Sequence, residues 1–333
     1  MTTSLTPEVR GKVLDVQLYI AQSAVLAHNI LFITEPKPGA ASPNYPFKDT
    51  KAADFLSGAS CLFYPLFELS KRGILVAQNH LWYEDAELGY FLKKGVEESK
   101  RWVRGEGNTI LGTLLMFSPL TVGVANFYAT EGMRTNIPLD LDVVTKITEN
   151  FLKQSSNVDC ENVTNLLVKY VSKNLLPSDK EEDDFTSFLN IYQYENNNLY
   201  EFTKFYEERD LIFFELANRY KITINQGYPF FKKMYEQTED FIQSTSQTFL
   251  YLLSLKTDTH IAKRFGNEVA KEVKARAKEI MKNDGLFTEK GQKLISELDT
   301  YLRFSKERII NPGSVADITA TTLFIAILDG YRP

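Results

Sequence analysis

A chain of 333 residues, 44% apolar and 24% charged, with 23 Phe and 17 Tyr to bury, has ample core material, which excludes wholesale disorder. A net charge of −5 disfavours a nucleic-acid partner, which needs a basic surface, yet leaves room for a local basic pocket facing a phosphorylated small molecule. Two cysteines, Cys61 and Cys160, are too few for a disulfide scaffold, and Arg10 and Lys12 precede an amphipathic stretch rather than a signal-type apolar run, so the expected compartment is the cytoplasm.

Thr6-Pro7-Glu8 reads as an N-cap, a first-turn proline and an early acid, and predicts a helix to about Phe32. Glu35 to Phe47, with Pro36, Pro38, Gly39, Pro43 and Pro46, is a long loop. Within it Lys37-Pro38-Gly39 reads most simply as a surface turn, or as a cation beside backbone N–H groups that meet phosphate. Helices follow at about 50–71 and 84–103. The apolar run Thr109 to Phe127 is long enough to cross a membrane, but Gly112, Ser118, Pro119, Thr121 and Gly123 favour a buried core helix ended near Pro119. Asn108-Thr109 opens that run as a cap, and Gly105-Glu106-Gly107-Asn108 lacks the Gly-Lys-Ser/Thr of a phosphate loop.

Helices are expected at about 139–153 and 160–174. An acidic stretch over 177–184 reads as a solvated loop between two lobes of one domain, and Asn196-Asn197-Asn198 as a polar turn. Leu199 to Tyr220 reads as one helix with Phe202, Tyr206, Phe213, Ala217 and Tyr220 on a single face. Asp210 falls in that core-facing series, where a carboxylate needs a cation or hydrogen bonds; Arg209 or a neighbouring helix is the simplest partner. Ile222-Thr223-Ile224 is too short for a strand.

After a helix at 228–255, Asp258 reads as the N-cap of a helix that carries Ile261, Phe265, Val269, Val273, Ala277 and Ile280 to Met281, with Gly285 as the stop. Thr259, His260, Lys263 and Arg264 in its first two turns favour an anion. Two further helices cover 288–309 and 314–329. Ser314-x-x-Asp317 is close to a capping box, but the last helix is apolar nearly all round. Asp317, on the side of Ala320, Thr321, Phe324 and Leu328, therefore has a cap to make or a ligand to hold. No stretch alternates with period two, and His28, His80 and His260 lack metal-ligand spacing. The expectation is one all-α, multi-helix domain over 1–333, orthogonal or bundle-like.

Five of these segments, in order, resemble the triphosphoribosyl-dephospho-coenzyme A synthase family, especially its archaeal branch. They are Lys37-Pro38-Gly39 with Asp49-Thr50 and Phe55-Leu56; Gly107-Asn108-Thr109-x-x-Gly112 with Ser118-Pro119-Leu120; Glu208-Arg209-Asp210-Leu211-Ile212 with Ala217-Asn218; Asp258-Thr259-x-Ile261-Ala262-x-Arg264; and Asn311-Pro312-Gly313-Ser314-x-Ala316-Asp317. The resemblance implies an all-helical, Mg²⁺-dependent, ATP-binding transferase of cofactor biosynthesis. It would join the ribose 5-triphosphate unit of ATP to a hydroxyl of 3′-dephospho-coenzyme A and release adenine.

By the same resemblance Asp210 and Asp317 are assigned to Mg²⁺ or oxocarbenium stabilisation, and Asp258 to base or metal ligand. Lys37, Arg209, Lys263 and Arg264 would bind phosphate, Asn108 and Asn311 would orient ligand oxygens, and Gly39 and Gly313 complete the nucleotide contacts. Typical members carry Asn-Thr-His-Lys-Gly where this chain has Asn108-Thr109-Ile110-Leu111-Gly112, and a polar residue where it has Ala40. The acceptor is thereby left open, dephospho-coenzyme A by default or a pterin-type precursor, and the alternative to an enzyme is a non-catalytic nucleotide-binding homologue. Small molecules are the expected partners, with no nucleic acid and no membrane, and a homodimer is compatible.

Overall fold

The computed structural model describes residues 7–103, 108–170 and 198–333. Among these residues the backbone is helical or irregular; a lone β-bridge pairs Phe47 with Thr50. Thr6, Gly105–Gly107, the acidic 177–184 stretch and Asn196-Asn197 lie outside the described residues.

Four helices build the centre: α1 (Pro7–Ile33), α3 (Phe63–Ala77), α5 (Leu111–Thr130) and the C-terminal helix α15 (Gly313–Leu328). The last two are apolar on every side, and a helix of that kind is stable only when neighbours surround it. Phe117 of α5 stacks on Phe324 of α15 with ring centroids 4.6 Å apart, both fully buried. Each such ring contributes roughly 2–3 kcal/mol through the apolar area withdrawn from water. Among the described residues two helices, Arg10–Ile33 and Leu111–Thr130, are long and apolar enough to cross a membrane, but the second is almost wholly buried inside the fold.

α5 does not end near Pro119. It runs eleven residues further, to Thr130. An internal proline forfeits one backbone hydrogen bond and costs about 3 kcal/mol. Ending the helix there would strand further polar backbone in a region where Phe117 to Ala125 are all buried.

Elsewhere the expected long helices are divided. The 50–71 span is α2 (Ala52–Ser60) and α3, with a junction at Cys61-Leu62. The 84–103 span begins as a 3₁₀ turn (Tyr83–Ala86) before α4 (Leu88–Trp102). Next come α6 (Leu141–Lys153), capped by Asp140, and α7 (Asn157–Tyr170). The 199–220 span is α8 (Leu199–Tyr206), capped by Asn198, and α9 (Leu211–Ala217). A π turn (Thr223–Gly227) takes in two of the three Ile222–Ile224 residues and leads to α10 (Tyr228–Thr238).

Left-handed Glu239 and the cap Asp240 separate α10 from α11 (Phe241–Leu255). Gly266, at φ 88°, separates α12 (Thr259–Phe265) from α13 (Asn267–Lys282), a backbone turn that glycine adopts without steric cost. After Gly285, α14 (Glu289–Phe304) leads to the last loop and α15. These divisions free several helix N-termini to meet at one place.

Candidate active site

The starts of α9, α12 and α15 cap one another. Asp210 is the N-cap of α9: its Oδ1 accepts from the Ile212 and Phe213 amides at 2.8 and 3.3 Å, and its Oδ2 pairs with Lys263 Nζ of α12 at 2.5 Å. It is therefore not a mid-helix residue; the sequence period runs on because Phe202 and Tyr206 of α8 pack against Phe213 of α9 across the break. The next amide, Leu211, donates to Thr259 Oγ1 at 3.1 Å. Thr259 Oγ1 lies 3.0 Å from Ser314 Oγ, which also accepts from the His260 amide at 3.2 Å.

Asp258 closes the ring. It is 1% exposed, its Oδ1 accepts from the Ile261 amide of its own helix at 2.9 Å, and its Oδ2 accepts from the Val315 amide of α15 at 2.8 Å. The expected capping box of Ser314 and Asp317 does not form: Pro312 holds the N-cap position with no side-chain cap bond. Both side chains turn to neighbouring helices instead, because α12 and α5 offer partners that a box inside α15 would forgo.

Asp317 projects half-buried from the first turn of α15 toward α5. Its Oδ1 accepts from Thr113 Oγ1 at 3.1 Å. Its Oδ2 lies against Gly112, where any Cβ would overlap it, and takes no hydrogen bond among the described residues. One turn earlier Asn108 Oδ1 caps α5 through the Ile110 and Leu111 amides at 3.0 and 2.8 Å. Asn108 Nδ2 and Thr109 Oγ1 are buried without a partner among the described residues.

Withdrawal from water pushes the Asp317 carboxyl up to about 7; the Thr113 hydrogen bond opposes this, and the negative charges of Asp258 and Asp210 add to it. Burial likewise pushes Asp258 up to about 6, against its bonds from Val315 and Ile261 and with Asp210 adding. Asp317 thus feels the charge of Asp258 and Asp210, and Asp258 that of Asp210. They are not arranged as a metal cage, since no group of three or more His, Cys, Asp or Glu side chains among the described residues is disposed to hold an ion. Burial, with Arg264 and Lys263 adding, pushes His260 down to about 4 and keeps it neutral. Its Nε2 faces Arg264 Nη1 at 3.3 Å and accepts from it, and its ring packs over Gly313 beside the Asn311 amide. Burial and the nearby charge of Arg308 both disfavour the Arg264 cation, so two guanidinium groups share one edge of the site.

The structure therefore brings together Asp210, Asp258, Asp317, Lys263, Arg264, Asn311 and Gly313, with Asn108 one turn from Gly112. The remaining candidates are placed otherwise. Arg209 is exposed, its guanidinium 5.9 Å from the Phe205 ring centre. Lys37, expected to face phosphate, is 4% exposed and donates to the Thr34 and Phe32 carbonyls at the end of α1. Orphan carbonyls at a helix C-terminus attract a cation, which explains the inward turn. Burial pushes its amine down to about 7, Glu35 opposing and Arg303 adding. Gly39, at φ 71°, donates its amide to Asp299 of α14 at 2.8 Å, and Arg303 of α14 donates to the Ala40 carbonyl at 2.8 Å, so this loop lies on α14.

Thr113, His28 and Arg308 were absent from the candidates read in the sequence. A hydroxyl directly after Gly112 and a histidine inside the apolar stretch of α1 are local signals, but their partners are remote in the chain. Two concavities, of about 510 and 500 Å³, lie elsewhere, around Trp82 and Lys153 and around Tyr90 and Asn162; none of the three aspartates lines either.

Comparison with known proteins places the chain in a family. A family model described as ATP:dephospho-CoA triphosphoribosyl transferase (CitG) matches residues 18–333. A 2-(5''-triphosphoribosyl)-3'-dephosphocoenzyme-A synthase assigned in Salmonella gallinarum is 27% identical over 112 residues, 34% of this chain and 36% of that protein. A counterpart in Streptococcus mutans serotype c is 25% identical over 115 residues, 34% of this chain and 38% of the relative. The chain thus matches little more than a third of the length of these curated relatives. A crystal structure assigned as a triphosphoribosyl-dephospho-coA synthase of Archaeoglobus fulgidus shares the all-helical fold, with a TM-score of 0.54, 22% identity, and coverage of 79% of this chain and 98% of that one. On the match across residues 18–333, the chain belongs to the ATP:dephospho-CoA triphosphoribosyl transferase family.

Proposed function

We propose that this chain transfers the 5-triphosphoribosyl group of ATP to a hydroxyl of 3′-dephospho-coenzyme A and releases adenine. The observation that carries the reading is the closure of three interlocked helix starts around Asp317, with Lys263 and Arg264 at the same place, in a chain of this family. In the reaction the C1–N9 bond of the nucleoside breaks and its electron pair leaves with adenine. Positive charge develops on the sugar, and the acceptor oxygen forms the new bond to C1. The acceptor's proton is released, and the departing base takes up one proton, so the step balances.

Asp317 suits the reacting centre. One of its oxygens is open, and a carboxyl poised near neutrality can stabilise a developing cation and accept a proton. Asp258, tied by both oxygens to two helices, holds the frame on which Asp317 is mounted. Lys263, Arg264 and Arg308 supply cations for the triphosphate. The nucleotide enters as its Mg²⁺ complex, in which the ion, held chiefly by phosphate oxygens and water, offsets the triphosphate charge. A site without a preformed cage fits an ion that arrives on its substrate.

The test is incubation of the purified protein with ATP, Mg²⁺ and dephospho-coenzyme A, followed by mass spectrometry. Free adenine and a triphosphoribosyl adduct are expected; ATP left intact with every acceptor would overturn the proposal. A second reading keeps the ribosyl transfer and changes the acceptor. It is favoured by Ile110 and Leu111, which are buried in the core where typical members carry His and Lys. Adenine release without the coenzyme adduct would select it.

A further inference from the structure

His28 interrupts the buried face of α1 and is 6% exposed. Its Nδ1 lies 3.3 Å from Thr113 Oγ1, the hydroxyl that lies 3.1 Å from Asp317 Oδ1. The directions of these bonds follow from chemistry. The ionised Asp317 only accepts, so in that form Thr113 commits its single proton to it. The threonine oxygen is then an acceptor, and His28 must carry its ring proton on Nδ1 to meet it. Nε2 is left as an acceptor and has no partner among the described residues. Burial holds the ring neutral by pushing it down to about 4, as a single tautomer requires.

The hydroxyl of Thr113 leaves its own helix, unlike those of several other buried threonines. Thr148, Thr245, Thr248, Thr319 and Thr322 all turn their hydroxyls back to the carbonyl four residues earlier in their own helix. Thr113 lies in the first turn of α5, where the carbonyl four residues back belongs to Thr109 outside the helix, and its hydroxyl reaches across to α15. The two groups in reach of its oxygen are His28 and Asp317.

We propose that Thr113, oriented by His28, is a positioning residue that fixes the Asp317 carboxyl with Oδ2 turned to the reacting centre beside Gly112. The inference rests on Asp317 being the reacting carboxylate. The terminal torsion of an aspartate is a broad, nearly two-fold rotor, so one fixed oxygen defines where the other points. Misplacing a reacting group by a fraction of an ångström lowers the rate without weakening substrate binding.

The test measures adenine release and, independently, the titration of the Asp317 side-chain carboxyl by ¹³C NMR in labelled protein. Thr113→Val, which keeps the shape and removes the hydroxyl, is expected to lower kcat by about tenfold or more, with KM for ATP within about twofold. Thr113→Ser is expected to restore kcat to within about threefold. The Asp317 midpoint should rise in the valine variant alone, since the hydroxyl bond holds it down. Equal kcat in wild type and Thr113→Val, or equal loss in the valine and serine variants, overturns the proposal. If Thr113→Val fails to fold, His28→Leu and His28→Asn decide: loss in the first and recovery in the second, which keeps a donor near Nδ1, supports it, and two unchanged variants overturn it. If the wild type releases no adenine, the proposed reaction fails, while an unmoved carboxyl midpoint in Thr113→Val separately overturns the positioning role.

Discussion

Asp317 of α15 packs against Gly112 of α5 where a side chain would not fit, and each constrains the other. On the proposed reaction, replacing Asp317 by Asn keeps the shape and removes the ionisable group, and adenine release is expected to fall by about a hundredfold or more, measured at saturating ATP. In the wild type, activity should rise with pH through about 7 as the carboxylate forms. Stability runs the other way. The folded-state value of Asp317 lies above its ordinary one, so its advantage is complete below about 3.8 and is lost as pH climbs to about 7. Asp317→Asn should therefore melt above the wild type at pH 8, with the gap closing toward pH 4. His28 and His260 act in the opposite sense: held near 4, they cost stability below that value, and the cost is relieved as pH rises toward 6.5. Gly112→Ala is the complementary probe. Alanine in a helix normally gains up to about 1 kcal/mol over glycine; here the new Cβ meets Asp317 Oδ2, so both melting temperature and kcat should drop.

At the scale of elements, the site is a set of helix starts that depend on one another. Asp258 serves α12 and α15 together, so Asp258→Ala should cost about 2–4 kcal/mol in denaturant unfolding, from one lost cap and one stranded buried amide. Hydrogen exchange should quicken in the first turns of both helices, and a change confined to α12 would refute the shared role. Much of this was legible in the sequence, because Asn108 and Asp258 sit where an apolar period begins and can be read as caps from local chemistry alone. Asp210 reads as mid-helix in the sequence but caps α9, since the aromatic series of α8 resumes in α9 with the spacing of one continuous helix. The bond from Thr113 to Asp317 spans 204 residues and that from His28 to Thr113 spans 85, and no local period records such a meeting.

At the scale of the molecule, Asp317, the carboxylate proposed to react, stands where two deeply buried helices meet. α5 and α15 are enclosed along nearly their whole length, so the core that stabilises the fold also stiffens the site. Phe324→Ala, which removes one ring of the Phe117–Phe324 stack, is expected to cost about 3–5 kcal/mol by chemical denaturation. The all-helical class was legible because the 3.6-residue period runs through the chain; the length of α5 was not, because a proline stops a helix only where water can take up the freed backbone.

The inward turn of Lys37 makes the loop beneath it a natural clock. An acylating reagent meets this amine only in molecules whose 35–47 segment has lifted from α14, whereas surface lysines react in every molecule. The half-time for labelling this one residue, followed by mass spectrometry, therefore counts how often the loop lets go, and it can be timed in protein that carries no engineered probe.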